Sequence, residues 1–192
     1  MPPRIWNLRR QLLGNVIPLL FGIVVGVFMF VLPLALRIVA GIAAAYFGIN
    51  VWGFYENEKI DRELRKLTQS NGELIGFVYL QPPTMYDAHA EVGILTVAES
   101  YLEISSERGG IVLNRSDIVA LNRRYNIHSV LLLGGWIVLE LKNGSEFKFE
   151  SRKFPTMHMS KLRTDQLFLD LALWHGEPEK WRSMAKYEKS PA

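Results

Sequence analysis

Two groups of residues in this 192-residue chain have the types and spacing from which chemistry is built. Asp87, His89 and Glu91 alternate in the run DAHAE, so on an extended strand they would share one face and could hold a metal ion. They follow Pro82-Pro83, in a stretch that reads as a loop, and only one of the three is a histidine; a solvated loop is the simpler reading. Met157, His158 and Met159 make a soft donor set of the kind copper selects, but no neighbouring histidine or cysteine completes it. His128 and His175 stand alone. Neither a Gly-x-Ser-x-Gly elbow, a phosphate-binding Walker loop nor a dinucleotide fingerprint occurs. The chain has no cysteine, which excludes a disulfide, a thiol nucleophile and a cysteine zinc site. The expectation is a protein with no catalytic residue, no metal and no cofactor.

Charge supplies one further candidate. Lys148, Arg152, Lys153, Lys161 and Arg163 cluster in sequence between the last expected strand and the C-terminal helix. Beside a bilayer such a cluster attracts anionic headgroups or an acidic partner; the plainer alternative is a solvated face. A net charge of +3 without a concentrated basic stripe does not point to nucleic acid.

The elements that must position these residues fall into two parts. Residues 12–56 are almost wholly apolar, and they contain two runs close to the length of a membrane span, 12–32 and 38–55. Between them Pro33 breaks helix and Arg37 supplies a charge that is costly at mid-membrane but tolerated at an interface. This reads as a transmembrane helical hairpin with Arg37 at its turn. One long kinked helix and a re-entrant hairpin are the alternatives; the apolar run is too long for the core of a signal peptide. Arg4, Arg9 and Arg10 precede the first span, and Lys59, Arg62, Arg65 and Lys66 follow the second. The excess of positive residues places both ends in the cytoplasm and makes the chain an integral protein of the cell or inner membrane. Gly22 with Gly26, Gly41 with Ala45, and Ala44 with Gly48 have the small-xxx-small spacing that lets helices approach closely, within the hairpin or against another membrane protein. Trp6, Trp52, Tyr46 and Tyr55 are candidate interface anchors.

Residues 57–71 continue as a linker helix with a single apolar stripe, Ile60, Leu64 and Leu67, ending near Asn71-Gly72. That helix is either a solvated connector or one that packs on the soluble domain. From Glu73 the period becomes two. ELIGFVYL, EVGILTVA, YLEISSE, IVLN, DIVALNRRYN, SVLLL, WIVLEL and EFKFE read as strands, the last two joined by an Asn143-Gly144 turn. In EFKFE, Phe147 and Phe149 point in, and Lys148 points out with Glu146 and Glu150. A final helix, TDQLFLDLALWHG, has Thr164 as its N-cap, Asp165 at its positive end, Leu167, Phe168, Leu171 and Trp174 on its buried face and Gly176 as its stop. It covers an open end of the sheet. Residues 1–11 and 179–192 are flanking segments.

VGILTVAESYLEIS, GGIVLNRSDIVAL and WIVLELKNGSEFKFES, followed by that helix, resemble the pleckstrin-homology superfold, in its GRAM-like and bacterial branches, over residues 72–178. The resemblance implies an antiparallel β-sandwich or barrel capped by a C-terminal helix, and a binding platform rather than an enzyme. Many such domains hold phosphoinositides with basic residues between their first two strands; here that loop, QPPTMYDAHA, has none. Together these readings anticipate an α+β membrane protein that serves as a non-catalytic adaptor or accessory subunit. It would scaffold, stabilise or help assemble a larger integral-membrane complex, with the lipid bilayer and other membrane subunits as partners. Sensing of anionic lipid through the basic cluster is the alternative.

Overall fold

The computed structural model describes residues 5–80, 91–124, 135–154 and 157–176. Two helices come first, α1 (Leu8–Phe28) and α2 (Leu34–Thr68). Seven strands follow: β1 (Glu73–Leu80), β2 (Glu91–Val97), β3 (Tyr101–Ser106), β4 (Gly109–Asn114), β5 (Ile118–Arg124), β6 (Trp136–Leu141) and β7 (Glu146–Ser151). Helix α3 (Met157–His175) closes the order. The segments QPPTMYDAHA, with Asp87 and His89, and SVLLL lie outside the described residues.

Helices α1 and α2 pack against one another, and glycine sets how closely. A Cβ placed on Gly22 would lie 2.5 Å from the Gly41 carbonyl oxygen and 2.6 Å from the Ala45 Cβ. On Gly41 it would lie 2.9 Å from the Gly22 oxygen, and on Gly48 it would meet Pro18 at 3.3 Å. The small residues are therefore spent inside the hairpin, where backbones touch because side chains are missing. The turn lies earlier than the sequence suggests. α1 ends at Phe28, Met29 to Leu32 form the connection, and Pro33 is already the N-cap of α2. Proline is tolerated at a helix start, where its missing N–H would have no partner anyway. Arg37 consequently sits in the first turn of α2 and not at the tip. Its Nε donates to the Gly26 carbonyl at 3.0 Å.

α2 runs unbroken for 35 residues, about 52 Å. It is long and apolar enough over part of its length to cross a membrane, whereas the apolar part of α1 is the shorter Val16–Phe28. Its C-terminal turns pack on the sheet: Ile60 and Leu64 are buried with Leu74, Val92 and Ile94, and Ile5 and Trp6 lie against the same cluster. Leu67, the third member of the expected stripe, is exposed. The helix stops at Thr68, three residues before Asn71, because Gln69 takes the left-handed conformation (φ 53°) and returns its N–H to the Arg65 carbonyl.

The strands form one antiparallel sheet in the order β4-β3-β2-β1-β7-β6-β5, curled into a half-barrel. Alternation places Ile75, Phe77, Leu95, Leu102, Ile104, Leu113, Ile137, Leu139, Phe147 and Phe149 on the concave side. Leu167, Phe168, Leu169, Leu171 and Ala172 of α3 fill it from within. In β5 a register shift between Ile118 and Ala120 lets Ile118 and Leu121, three apart, both face the core and turns Val119 out.

The close approach at Gly22 makes a specific expectation. Gly22→Ala should lower the unfolding free energy of the purified chain by about 1–3 kcal/mol, the usual range for overpacking. Gly14→Ala, whose added methyl meets only the Trp52 ring at 3.5 Å, should be neutral or slightly stabilising through helix propensity. Equal effects of the two substitutions would remove the close-packing account.

Candidate functional site

The five basic residues expected to form one surface cluster are put to different uses by the fold. Lys148 has no exposed surface. It is paired across the sheet with Val78 and Val138, which are themselves buried with Trp136, so the convex side here is a second apolar layer and not a solvent face. The outward position expected for Lys148 is corrected on this ground: alternation gives the side of the sheet, but not whether that side is wet. Its Nζ lies 3.5 Å from Glu146 Oε2. Glu146 also receives both terminal nitrogens of Arg124, at 2.9 and 3.0 Å. The hydrogen bonds from Arg124, assisted by the charges of Arg124 and Lys148, outweigh burial and hold the Glu146 carboxyl below its ordinary range.

Arg163 is fastened to Glu73, the first residue of β1, through Nε at 2.9 Å and through Nη2. Burial opposes its charge, but the bonds to Glu73 and the proximity of Asp170 raise its pKa further. Lys161 bonds Asp165 one turn along α3, and Asp165 also accepts from Arg123 of β5 at 2.8 Å. Thr164 is not a cap. The helix begins seven residues earlier, and the buried Thr164 hydroxyl donates to the Ser160 carbonyl and accepts from the Ser151 N–H. Asp165 likewise serves as an anchor to β5 and not at a helix end. Trp174 donates its indole N–H to the Ala98 carbonyl, His175 bonds the Ile118 carbonyl, and Gly176 ends the helix at φ 91° as expected. Of the five cationic residues, Lys153 alone is open to solvent, Arg152, Lys161 and Arg163 being half-buried.

Arg152 belongs to a different constellation, which the sequence reading missed. Its guanidinium lies over the Trp6 ring at 4.6 Å, and burial pushes its pKa down against the pull of Glu150 and Glu56. Arg10 of α1 reaches Glu56 at 3.5 Å and Glu63 at 3.1 Å, both on α2. Glu107, in the turn between β3 and β4, accepts the backbone N–H of Ile5 at 2.6 Å. Trp6, Arg10, Glu56, Glu63, Glu107 and Arg152 thus tie the N-terminal segment, both helices and the sheet together. One signal was available: charge begins at Arg10 on one helix and Glu56 on the other, and the two meet. Between them, over residues 11–55, Arg37 is the single charged residue.

Of the other candidates, Glu91 accepts the Ser106 hydroxyl at 2.6 Å and faces Arg108 at 3.7 Å, an internal use of its charge. Met159 is exposed. Among the described residues no three His, Cys, Asp or Glu side chains converge on a metal-sized site.

Lys148→Met should change stability little, because an apolar chain of similar length suits the Val78–Val138 layer. Glu146→Gln should cost about 3 kcal/mol near neutral pH by leaving the Lys148 charge less compensated. A lowered carboxyl pKa contributes stability that is complete above the ordinary value of 4.5 and is lost as pH falls through the lowered value. Glu146→Gln should therefore lose less stability than the wild type on acidification from about pH 5 to about pH 3. Parallel acid profiles in urea titration would show that Glu146 carries no such linkage.

Compared with models of known protein families the chain matches none, and no curated protein matches it.

Proposed function

We propose that the chain is a non-catalytic, membrane-anchored adaptor. The α1–α2 hairpin lies in the bilayer, and the half-barrel domain, of pleckstrin-homology type, sits at the cytoplasmic face where it contacts a larger integral-membrane assembly. One observation carries the anchor. On both helices charge stops at the same level, Arg10 against Glu56, and beyond it the side chains of Leu19, Leu20, Ile23, Val27, Val39, Ile42 and Phe47 are exposed. So large an apolar surface on a folded chain marks a membrane or protein contact. From Arg10 to Phe28 α1 rises about 27 Å, close to the thickness of a hydrocarbon core. Trp52 stands one turn below Glu56, at the height favoured by interfacial aromatics.

The half-barrel with a helix packed into its concave side supports the pleckstrin-homology reading, a binding platform held at a surface. Tethering raises the effective concentration of any partner in the same membrane, so small patches such as exposed Leu67 and Val112 suffice for contact. Lipid sensing through the basic residues draws less support, since Lys148, Lys161 and Arg163 are engaged with carboxylates of their own domain.

Two measurements test this. The full chain purified in mild detergent should carry a stoichiometric membrane protein; a chain that runs alone removes the subunit reading. A cysteine at Val31, the only one in the protein, should react with a membrane-impermeant maleimide added outside intact cells, while one at Leu67 should not. Protection of both positions would indicate a hairpin that enters and leaves on the same side.

A further inference from the structure

The hairpin carries an apolar groove of about 290 Å³ between its helices. Gly22, Gly26 and Gly41 contribute only backbone to its lining, and Leu19, Ile23 and Ile42 add branched side chains. Along α2 it extends from Leu34 to Ala45, about 16 Å. One leaflet of a 30 Å hydrocarbon core is about 15 Å deep, so the groove has the length of a single leaflet. Arg37 lines it near the loop end. Nε is committed to the Gly26 carbonyl, and a guanidinium has five N–H donors in all.

We propose that this groove is a phospholipid site: one acyl chain lies along the glycines and the phosphate is held by Arg37. The argument is charge complementarity at a given depth. Residues 11–55 contain no carboxylate to neutralise Arg37, so a counter-charge comes from outside that stretch. Phosphate is the anion already present at the interface, within reach of an arginine one turn below the loop, and it accepts guanidinium bonds in pairs. The bond to Gly26 fixes the direction of the side chain, so part of the ordering cost is met before the lipid arrives.

The proposal rests on the hairpin being in the bilayer, and the experiment separates the two. The full chain is expressed in membranes, extracted, exchanged into mild detergent with added phosphatidylglycerol or diacylglycerol, and examined by native mass spectrometry. The wild type should retain about one phosphatidylglycerol and no diacylglycerol. Arg37→Gln should reduce retention at least tenfold. Ile38→Trp, which fills the groove from an exposed position and leaves Arg37 in place, should do the same. Arg37→Lys keeps the charge and should stay within a few fold of wild type. Circular dichroism of each variant checks that the helices persist. Equal retention by Arg37→Gln, equal retention of diacylglycerol, or a carboxylate of another protein crosslinked to position 37 in place of lipid would overturn the proposal. A chain that leaves membranes without detergent would instead overturn the anchor.

Discussion

Everything in this molecule depends on α2 being one helix. Its apolar half packs against α1 through glycine, and its polar half presses Ile60 and Leu64 onto the outer side of β1 and β2. With no break between them, the position of the first half dictates that of the second. The pairs Glu58–Arg62 and Asp61–Arg65 support the helix across the stretch where apolar packing gives way to sheet packing. Arg10, Glu107 and Arg152 then lock the N-terminal segment over the same junction, so hairpin and half-barrel share one boundary and not a flexible link.

Three cations drawn into the half-barrel have a carboxylate close by: Glu146 for Lys148, Asp165 for Arg123, Glu73 for Arg163. Two of these pairs join α3 to distant strands, β5 and β1, and Glu146 also ties β7 to β5 through Arg124. A buried pair adds little net stability over an apolar equivalent, but removing one member leaves an expensive charge, so such pairs discriminate against wrong registers more than they stabilise the right one.

How much of this the sequence discloses depends on the kind of signal. Period-two alternation located the described strands within a residue or two, because every strand has a buried concave side that enforces it. Gly22, Gly26 and Gly41 were readable as packing positions, since only glycine permits that approach. Lys148 was misjudged because alternation says nothing about what covers the other side. Thr164 was misjudged because threonine is equally good as a cap and as a buried hydroxyl satisfied by the carbonyl four residues back. The turn of the hairpin was misplaced because Pro33 marks both the end of one helix and the start of the next. The junction of Trp6, Arg10, Glu56 and Arg152 left no local pattern at all, being assembled from positions up to 146 residues apart.

The pairing of β1 with β7 has a consequence in time. Ile75 must wait for Ser151 before that side of its ladder closes. At translation rates of about 5–20 residues per second the wait is about 4–15 s. By then the hairpin has long been synthesised, and α2 is available to cover the outer side of β1 and β2 while the inner side is still open. α2 is thus a partner for the nascent sheet early on, and the order of segments along the chain covers one side of β1 and β2 before β7 exists to complete the ladder.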